Sequence, residues 1–157
     1  MQNKVKPIPD GYHTVTPYLI IKDAANAIEF YKKAFSAKEL MRMPGPDGKV
    51  MHAEIKIGDS PIMISDECPE MNARGPQALG GSPISILLYV EDVDALAKQA
   101  AAAGAKIVKP VLDQFYGDRC GTLSDPFGHI WHIATHKEDL SPEEMQKRAA
   151  AKFQEKK

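Results

Sequence analysis

The side chains best suited to chemistry in this 157-residue sequence are His52, Glu54 and His132. His52 and Glu54 stand two positions apart in an alternating segment, residues 51–57, so both point to one face of the predicted strand. An imidazole oriented by a carboxylate can transfer protons or bind a metal. At about 3.3 Å per residue the two positions lie roughly 7 Å apart, which is too far for a tight chelate without a bulge. A solvated polar strand face is therefore the more common alternative.

His132 lies in a second alternating segment, residues 129–135, on the side opposite Trp131 and Ile133. Its imidazole suits a general base or a hydrogen-bonding ligand anchor, and His132 is the candidate catalytic residue. The alternative is a structural histidine whose ring bonds to Ser85 or Thr16. The sequence leaves both interpretations open.

These residues belong to elements that occur twice. The segment TPYLIIKD at residues 16–23 returns 69 residues later as SILLYVED at residues 85–92. Each copy is followed by apolar residues at helical spacing and then by three strand patterns. The repeat predicts an α+β fold of two tandem βαβββ modules that form a curved mixed sheet, with helices on the convex side and a concave pocket opposite.

The boundaries of these modules follow from the turn residues between the patterns. Module one spans about 13–66, a Gly- and Pro-rich connector spans 67–83, module two spans about 84–137, and a helical tail spans 141–157. With 43% hydrophobic residues, the chain is long enough for one well-buried core, so a single domain is expected. Asp23 and Asp92 are the predicted N-caps of the two module helices.

Strand alternation sorts the candidate ligand-binding residues by face. On each strand, one face carries only apolar side chains and should lie under the helices. The other face carries both apolar and polar side chains, here called the mixed set, and should line the pocket. The mixed set is Thr16, Tyr18, Met63, Ser85, Tyr89 and His132, with His52 and Glu54 on a polar face of their own. Tyr18 and Tyr89 could stack on an aromatic ligand or be ordinary strand formers. Arg119 is predicted at the pocket rim, unless it pairs with Asp118 or Asp113.

Two modules of this order, each with Lys-Asp or Val-x-Asp before its helix, and the turn Asp125-Pro-Phe-Gly128 before the last strand resemble the vicinal oxygen chelate superfamily. That superfamily includes glyoxalase I, extradiol dioxygenases, fosfomycin-resistance proteins and bleomycin-binding proteins. The segments 52–66 and 125–135 are similar to its PhnB-like branch, and the resemblance covers residues 13–137. In the metal-using members, one ligand comes from the first and the last strand of each module.

The resemblance implies four metal-ligand positions, which in this sequence are occupied by Thr16, Met63, Ser85 and His132. Only the imidazole is a competent ligand, because a thioether is too soft for hard divalent ions and neutral hydroxyls bind them weakly. The resemblance therefore implies a small-molecule-binding protein of the glyoxalase/bleomycin-resistance type that has lost the conventional metal site, with no cofactor and an unknown ligand. The alternative is a metal-dependent lyase, isomerase or dioxygenase-like enzyme that uses His132 with His52 and Glu54.

Composition limits the partners and the compartment. Twenty basic and 21 acidic residues give no electrostatic attraction for nucleic acid. No apolar run is long enough to span a membrane, and residues 1–9 lack the apolar core of a leader, so a cytoplasmic protein with Cys68 and Cys120 reduced is expected. Open sheet edges and the family resemblance predict a homodimer, which the tail residues Met145 and Phe153 could help to form.

Overall fold

Each half of the chain folds as one strand, one helix and three further strands, as the repeat predicts. The computed structural model describes residues 5–155 and divides the chain after Gly81 into two compact units. The α+β class and the two tandem βαβββ modules are thereby confirmed. Residues 1–4, part of the segment in which no leader is expected, and residues 156–157 of the predicted tail lie outside the described residues.

The first unit carries a four-stranded mixed sheet in the order β1-β4-β3-β2. Its elements are β1 (Tyr18–Ile21), α1 (Ala24–Phe35), β2 (Lys38–Pro44), β3 (Val50–Ile57), β4 (Ser60–Asp66) and a short helix α2 (Pro76–Leu79). Strand β1 runs parallel to β4, and the other pairs are antiparallel. Just before β1, the Pro17 carbonyl also accepts a hydrogen bond from the Met63 amide at 2.9 Å.

The second unit repeats this arrangement in the order β5-β8-β7-β6. Its elements are β5 (Ser85–Tyr89), α3 (Val93–Ala103), β6 (Lys106–Asp113), β7 (Asp118–Ser124), β8 (Ile130–His136) and α4 (Pro142–Gln154). Strand β5 is parallel to β8. At the start of α4, the Ser141 hydroxyl accepts a hydrogen bond from the Glu144 amide at 3.2 Å. Among residues 5–155, no helix has both the length and the apolarity needed to cross a bilayer.

One face of each sheet packs against its helix and forms the core. In the first unit Ile55 and Ile64 are fully buried together with Ile28 and Tyr31 of α1. In the second unit Trp131 and Ile133 are fully buried, as their position opposite His132 predicts. Alternation along the strands then leaves the intervening residues on the other, open face.

The two module helices begin in different ways. Asp92 caps α3 as predicted, accepting a hydrogen bond from the Ala95 amide at 2.9 Å. The prediction that the Asp23 carboxylate caps α1 is wrong, because Asp23 has a left-handed backbone (φ 69°) and its carboxylate accepts the Asn26 side-chain amide at 2.6 Å instead of a backbone amide of the helix. Asp66 at the end of β4 accepts the amides of Asp23 and Ala24 instead, both at 3.0 Å. The α1 terminus is thus satisfied by a residue 43 positions further along the chain.

The Asp-Pro-Phe-Gly turn before β8 is organised by its first residue. The buried Asp125 accepts the amides of Phe127 and His129 through Oδ1, each at 2.9 Å. Its Oδ2 accepts the indole N–H of Trp131 at 2.9 Å. One carboxylate therefore holds both the turn and the largest core side chain, which fixes how β8 enters the sheet.

Candidate functional site

The open face of the first unit brings three of the predicted residues into one row. Tyr18 on β1 lies beside Met63 on β4, and Met63 lies beside Glu54 on β3. His52 occupies the next outward-facing position of β3 and is half-buried, like Glu54. Thr16 precedes β1 and is also half-buried.

A chain of hydrogen bonds links four side chains on this face. The Tyr18 hydroxyl lies 2.8 Å from Nδ1 of His52, and the two rings are 5.5 Å apart and tilted. Nε2 of His52 lies 3.2 Å from Oε1 of Glu54, and the Tyr12 hydroxyl donates to Oε2 of Glu54. The side chains of His52 and Glu54 thus contact each other, while the expectation that their positions lie too far apart for a tight chelate without a bulge stays a prediction.

The negative charge in this chain of hydrogen bonds lies on the carboxylate of Glu54. Hydrogen bonds from Tyr12 and then His52 lower the pKa of Glu54 below its usual value. Burial, followed by the contact with Glu54, raises the pKa of Tyr12 to about 12. At neutral pH Glu54 is thus ionised and acts only as an acceptor, while Tyr12 remains a donor. No sequence pattern points to Tyr12, which lies in a loop before β1.

A cavity of about 540 Å³ opens beside Tyr18, and we name it the first-unit cavity. Apolar wall residues include Ile20, Pro46, Met51 and Met71. Its charged lining residues are Lys49, Asp66, Glu67 and Glu70. Acidic groups outnumber basic ones there, so the cavity combines an apolar wall with net negative charge.

In the second unit His132 faces a different partner from either one predicted. Its Nδ1 lies 2.9 Å from the Thr122 hydroxyl on the neighbouring strand β7. Ser85 is exposed at the start of β5. Within residues 5–155, Nε2 of His132 makes no hydrogen bond. One ring nitrogen is thus positioned by the sheet and the other is available to a ligand.

His132 and Thr122 border a cavity of about 380 Å³, which we name the second-unit cavity. Further lining residues include Lys109, Gln114, Tyr116 and Cys120. The Tyr116 hydroxyl lies 3.2 Å from the Cys120 sulfur. This hydrogen bond, followed by burial, raises the pKa of Tyr116 to about 12, so its phenol stays protonated at neutral pH.

At the other end of this face, a buried carboxylate joins two further side chains. Asp118 accepts a hydrogen bond from the Tyr89 hydroxyl at 2.7 Å and lies 2.7 Å from Nδ1 of His136. Contact with Asp118 and then Asp139 raises the pKa of His136. Sequence reasoning missed the Asp118–His136 pair, although even spacing puts His136 on the same face as His132.

Arg119 lies on the helix side of the second sheet. Its guanidinium forms two hydrogen bonds with Asp94 of α3, at 2.8 and 2.9 Å, and a third with Asp113 at 3.2 Å. Of its two predicted ion-pair partners, Asp113 is therefore found and Asp118 is not. The role of Arg119 at a pocket rim stays a prediction.

The residues at the four metal-ligand positions implied by the resemblance do not fit a hard divalent ion. Met63 presents a thioether, and Thr16 and Ser85 present neutral hydroxyls. Among residues 5–155, no cluster of three or more His, Cys, Asp or Glu side chains is placed to hold a metal.

Comparison with known proteins identifies relatives across most of the chain. The family model of the Glyoxalase/Bleomycin resistance protein/Dioxygenase superfamily matches residues 12–133. An uncharacterized protein of Mycobacterium bovis is 44% identical over 135 residues, which cover 84% of this chain and 89% of that protein. TioX from Micromonospora sp. ML1 has a similar crystal structure, with a TM-score of 0.63, 25% identity, and coverage of 82% of this chain and 100% of TioX.

A PhnB protein from Bacillus cereus is also similar, with a TM-score of 0.61 over 78% of this chain and 99% of that one. At 18% identity, this likeness shows the fold alone. The two βαβββ units, the turn at Asp125 and the match over residues 12–133 agree with one another. On this evidence the chain belongs to the Glyoxalase/Bleomycin resistance protein/Dioxygenase superfamily.

Proposed function

We propose that the protein binds a small molecule in the second-unit cavity, with His132 as the residue that anchors the ligand. The observation that carries this proposal is the position of the His132 ring. Its Nδ1 is hydrogen-bonded to Thr122, and the ring borders a cavity of about 380 Å³. That volume lies within the range of ligand pockets, and a pre-positioned polar group is what such pockets use to orient a ligand.

The charges of the cavity suggest the kind of ligand. Lys109 supplies an ammonium group, and Gln114 and Tyr116 supply further donors. Within the described part of the chain, no aspartate or glutamate lines this cavity. The lining therefore favours a ligand that carries an anionic or otherwise electron-rich oxygen group.

The proposal does not include the metal of the superfamily. The chemistry of Thr16, Met63 and Ser85 supports a binding site without a divalent ion, because none of them is a strong ligand for one. The contact of His52 with Glu54, 3.2 Å from Nε2 to Oε1, favours a second candidate, a metal-dependent lyase, isomerase or dioxygenase-like enzyme that uses these two side chains. Elemental analysis after incubation with Mn, Fe, Co, Ni and Zn separates the two, since binding without a metal predicts substoichiometric amounts of each.

A fragment screen by NMR tests the binding proposal. Aromatic and aliphatic carboxylates and phosphonates are compared with their neutral amides, and we expect the anions to shift resonances of residues around His132. His132→Ala should weaken the best anion roughly five- to tenfold, the loss of one charge-assisted hydrogen bond. His13→Ala, at an exposed position in the first unit, is the matched control and should leave binding unchanged. Equal binding by wild type and His132→Ala would contradict the proposal.

Assembly and location stay predictions. We propose the symmetric homodimer that the family resemblance implies, with the exposed Phe153 of α4 as a candidate contact. Light scattering at micromolar concentration should then report about twice the 17.3 kDa chain mass. A clean monomer would rule the dimer out. The cytoplasmic location is likewise a prediction, which fractionation of cells that produce the protein can check.

A further inference from the structure

The hydrogen-bond chain on the first unit has a direction. Glu54 is ionised and accepts only, so a neutral His52 must carry its proton on Nε2 and donate it to Oε1. Nδ1 of His52 is then an acceptor, and the Tyr18 hydroxyl must donate to it. The proton of Tyr18 is therefore committed to His52. Its oxygen retains lone pairs, so Tyr18 can offer a ligand an acceptor but no donor.

Tyr18 also lines the first-unit cavity, which has a volume of about 540 Å³ and is lined by residues of the first unit. Around Tyr18 the wall is apolar and polarisable, with Ile20 on the same strand and the exposed side chains of Met51 and Met71. Methionine sulfur and a tyrosine ring both make favourable contacts with flat or irregular apolar groups. The wall is therefore suited to the hydrocarbon part of a ligand.

The charged part of the lining has the opposite sign to that of the second-unit cavity. Asp66, Glu67 and Glu70 face a single Lys49. Asp66 is occupied by backbone amides, and Oε1 of Glu67 accepts the Gly75 amide at 2.8 Å. Oε2 of Glu67 and the carboxylate of Glu70, whose Oε2 accepts a hydrogen bond from the Cys68 thiol at 3.5 Å, add negative charge beside an apolar wall and an acceptor oxygen.

From these three properties we infer that the first-unit cavity is a second ligand site, and that it takes an organic cation, an ammonium group on an apolar body. The ammonium donates to the Tyr18 oxygen and lies against its ring, an arrangement in which a cation is attracted to the π-face. The carboxylates of Glu67 and Glu70 compensate its charge, and Met51 and Met71 contact its body. This site goes beyond the function proposed above and uses a separate cavity in the other unit.

The test uses benzylammonium as the probe, with benzyl alcohol and benzoate as neutral and anionic controls of similar shape. The full chain is labelled at the methionine methyl groups and titrated by NMR at about pH 8, where an unperturbed imidazole is neutral. We expect saturable shifts of Met51 and Met71 with benzylammonium, while Met145 on α4 serves as the unaffected reference. Its apparent Kd should be at least threefold lower than that of benzyl alcohol, with benzoate the weakest of the three.

Two variants assign the effect to the proposed groups. Tyr18→Phe keeps the ring and removes the acceptor oxygen, and it should weaken benzylammonium about threefold and benzyl alcohol by less, because the uncharged hydroxyl makes a weaker hydrogen bond to that oxygen. The double variant Glu67→Gln with Glu70→Gln should weaken it roughly three- to tenfold. Glu143→Gln removes one carboxylate from α4 and should have no effect.

Two results would overturn the inference. One is the absence of saturable Met51 and Met71 shifts with benzylammonium at tens of millimolar, the range of weak fragment binding. The other is benzoate binding as tightly as benzylammonium. Neither result affects the anion site at His132, which is followed by resonances of the second unit, so the two proposals fail separately.

Discussion

The two units have the same strand order, and their first and last strands pair in the same register, yet their open faces carry opposite chemistry. In the first unit Glu54 of β3 lies beside Met63 of β4, and in the second unit Thr122 of β7 lies beside His132 of β8. The first-unit cavity is acidic and presents an acceptor, whereas the second-unit cavity presents Lys109 and other donors. A repeated scaffold thus preserves its core face while the open face is free to differ, because only the core face is limited by packing.

The ends of the last strands show the same contrast on a smaller scale. Asp66 at the end of β4 accepts amides at the start of α1, and Thr135 near the end of β8 accepts the Val93 amide at the start of α3 at 2.9 Å. Both perform one task, which is to tie the module helix to the sheet. The carboxylate also accepts the Val50 amide at 2.7 Å, so it holds three donors where the hydroxyl holds one.

This difference predicts the largest effect. Asp66→Ala leaves three amides without their acceptor and should lower the free energy of unfolding by about 2–4 kcal/mol. Thr135→Val removes the acceptor of the Val93 amide and the donor to the Val90 carbonyl, and it should cost about 1–2 kcal/mol. Urea denaturation followed by circular dichroism measures both values. Equal losses in the two variants would show that the units do not depend differently on these residues.

The second prediction concerns the charge of the second-unit cavity. Lys109→Glu replaces its ammonium with a carboxylate and should weaken the anionic ligands found by the fragment screen about tenfold, a change of roughly 1.4 kcal/mol. Lys106→Glu makes the same change on the same strand, at a residue that does not line the cavity as described. Isothermal titration calorimetry compares the two variants, and similar losses in both would point to a general field effect instead of a local contact.

The third prediction concerns how the stability of the first unit depends on pH. The pKa of Glu54 is lowered on folding, so its contribution to stability is present above the ordinary glutamate pKa of 4.5 and is lost as pH falls through the folded pKa. Glu54→Gln should therefore cost about 1 kcal/mol at pH 7 and almost nothing near pH 3. Tyr12→Phe, which removes the strongest partner, should reproduce part of this loss. A pH-independent loss would refute the assignment.

The smallest expected effect concerns the His136–Asp118 contact of the second unit. Its dependence on pH runs in the opposite direction to that of Glu54. Asp118 raises the pKa of His136, so the stabilisation is present below the ordinary histidine pKa of 6.5 and is lost as pH rises through the folded pKa. NMR titration of His136 should give a midpoint above 6.5. Asp118→Asn should move it down toward that value, with Asp139 providing the remaining shift. A midpoint unchanged by Asp118→Asn would mean that the contact is not made in solution.

The sequence by itself determined the repeat, the order of its elements and the face on which most strand residues lie. The buried Trp131 and Ile133 and the outward His132 follow from alternation, and the cap at Asp92 follows from residue type and position. These features depend on neighbours within a few residues, whose spacing in space is set by the geometry of a strand or a helix. Local pattern is therefore sufficient to predict them.

Only the tertiary structure decided which side chains meet. Asp66 replaces Asp23 at the start of α1, Thr122 holds His132, and Tyr12 reaches Glu54 across 42 residues of sequence. Each contact depends on the register between separate strands or on a loop that returns to the sheet, and side-chain torsions then close the last few ångströms. Those quantities are set by packing of the whole unit, so spacing along the chain does not contain them.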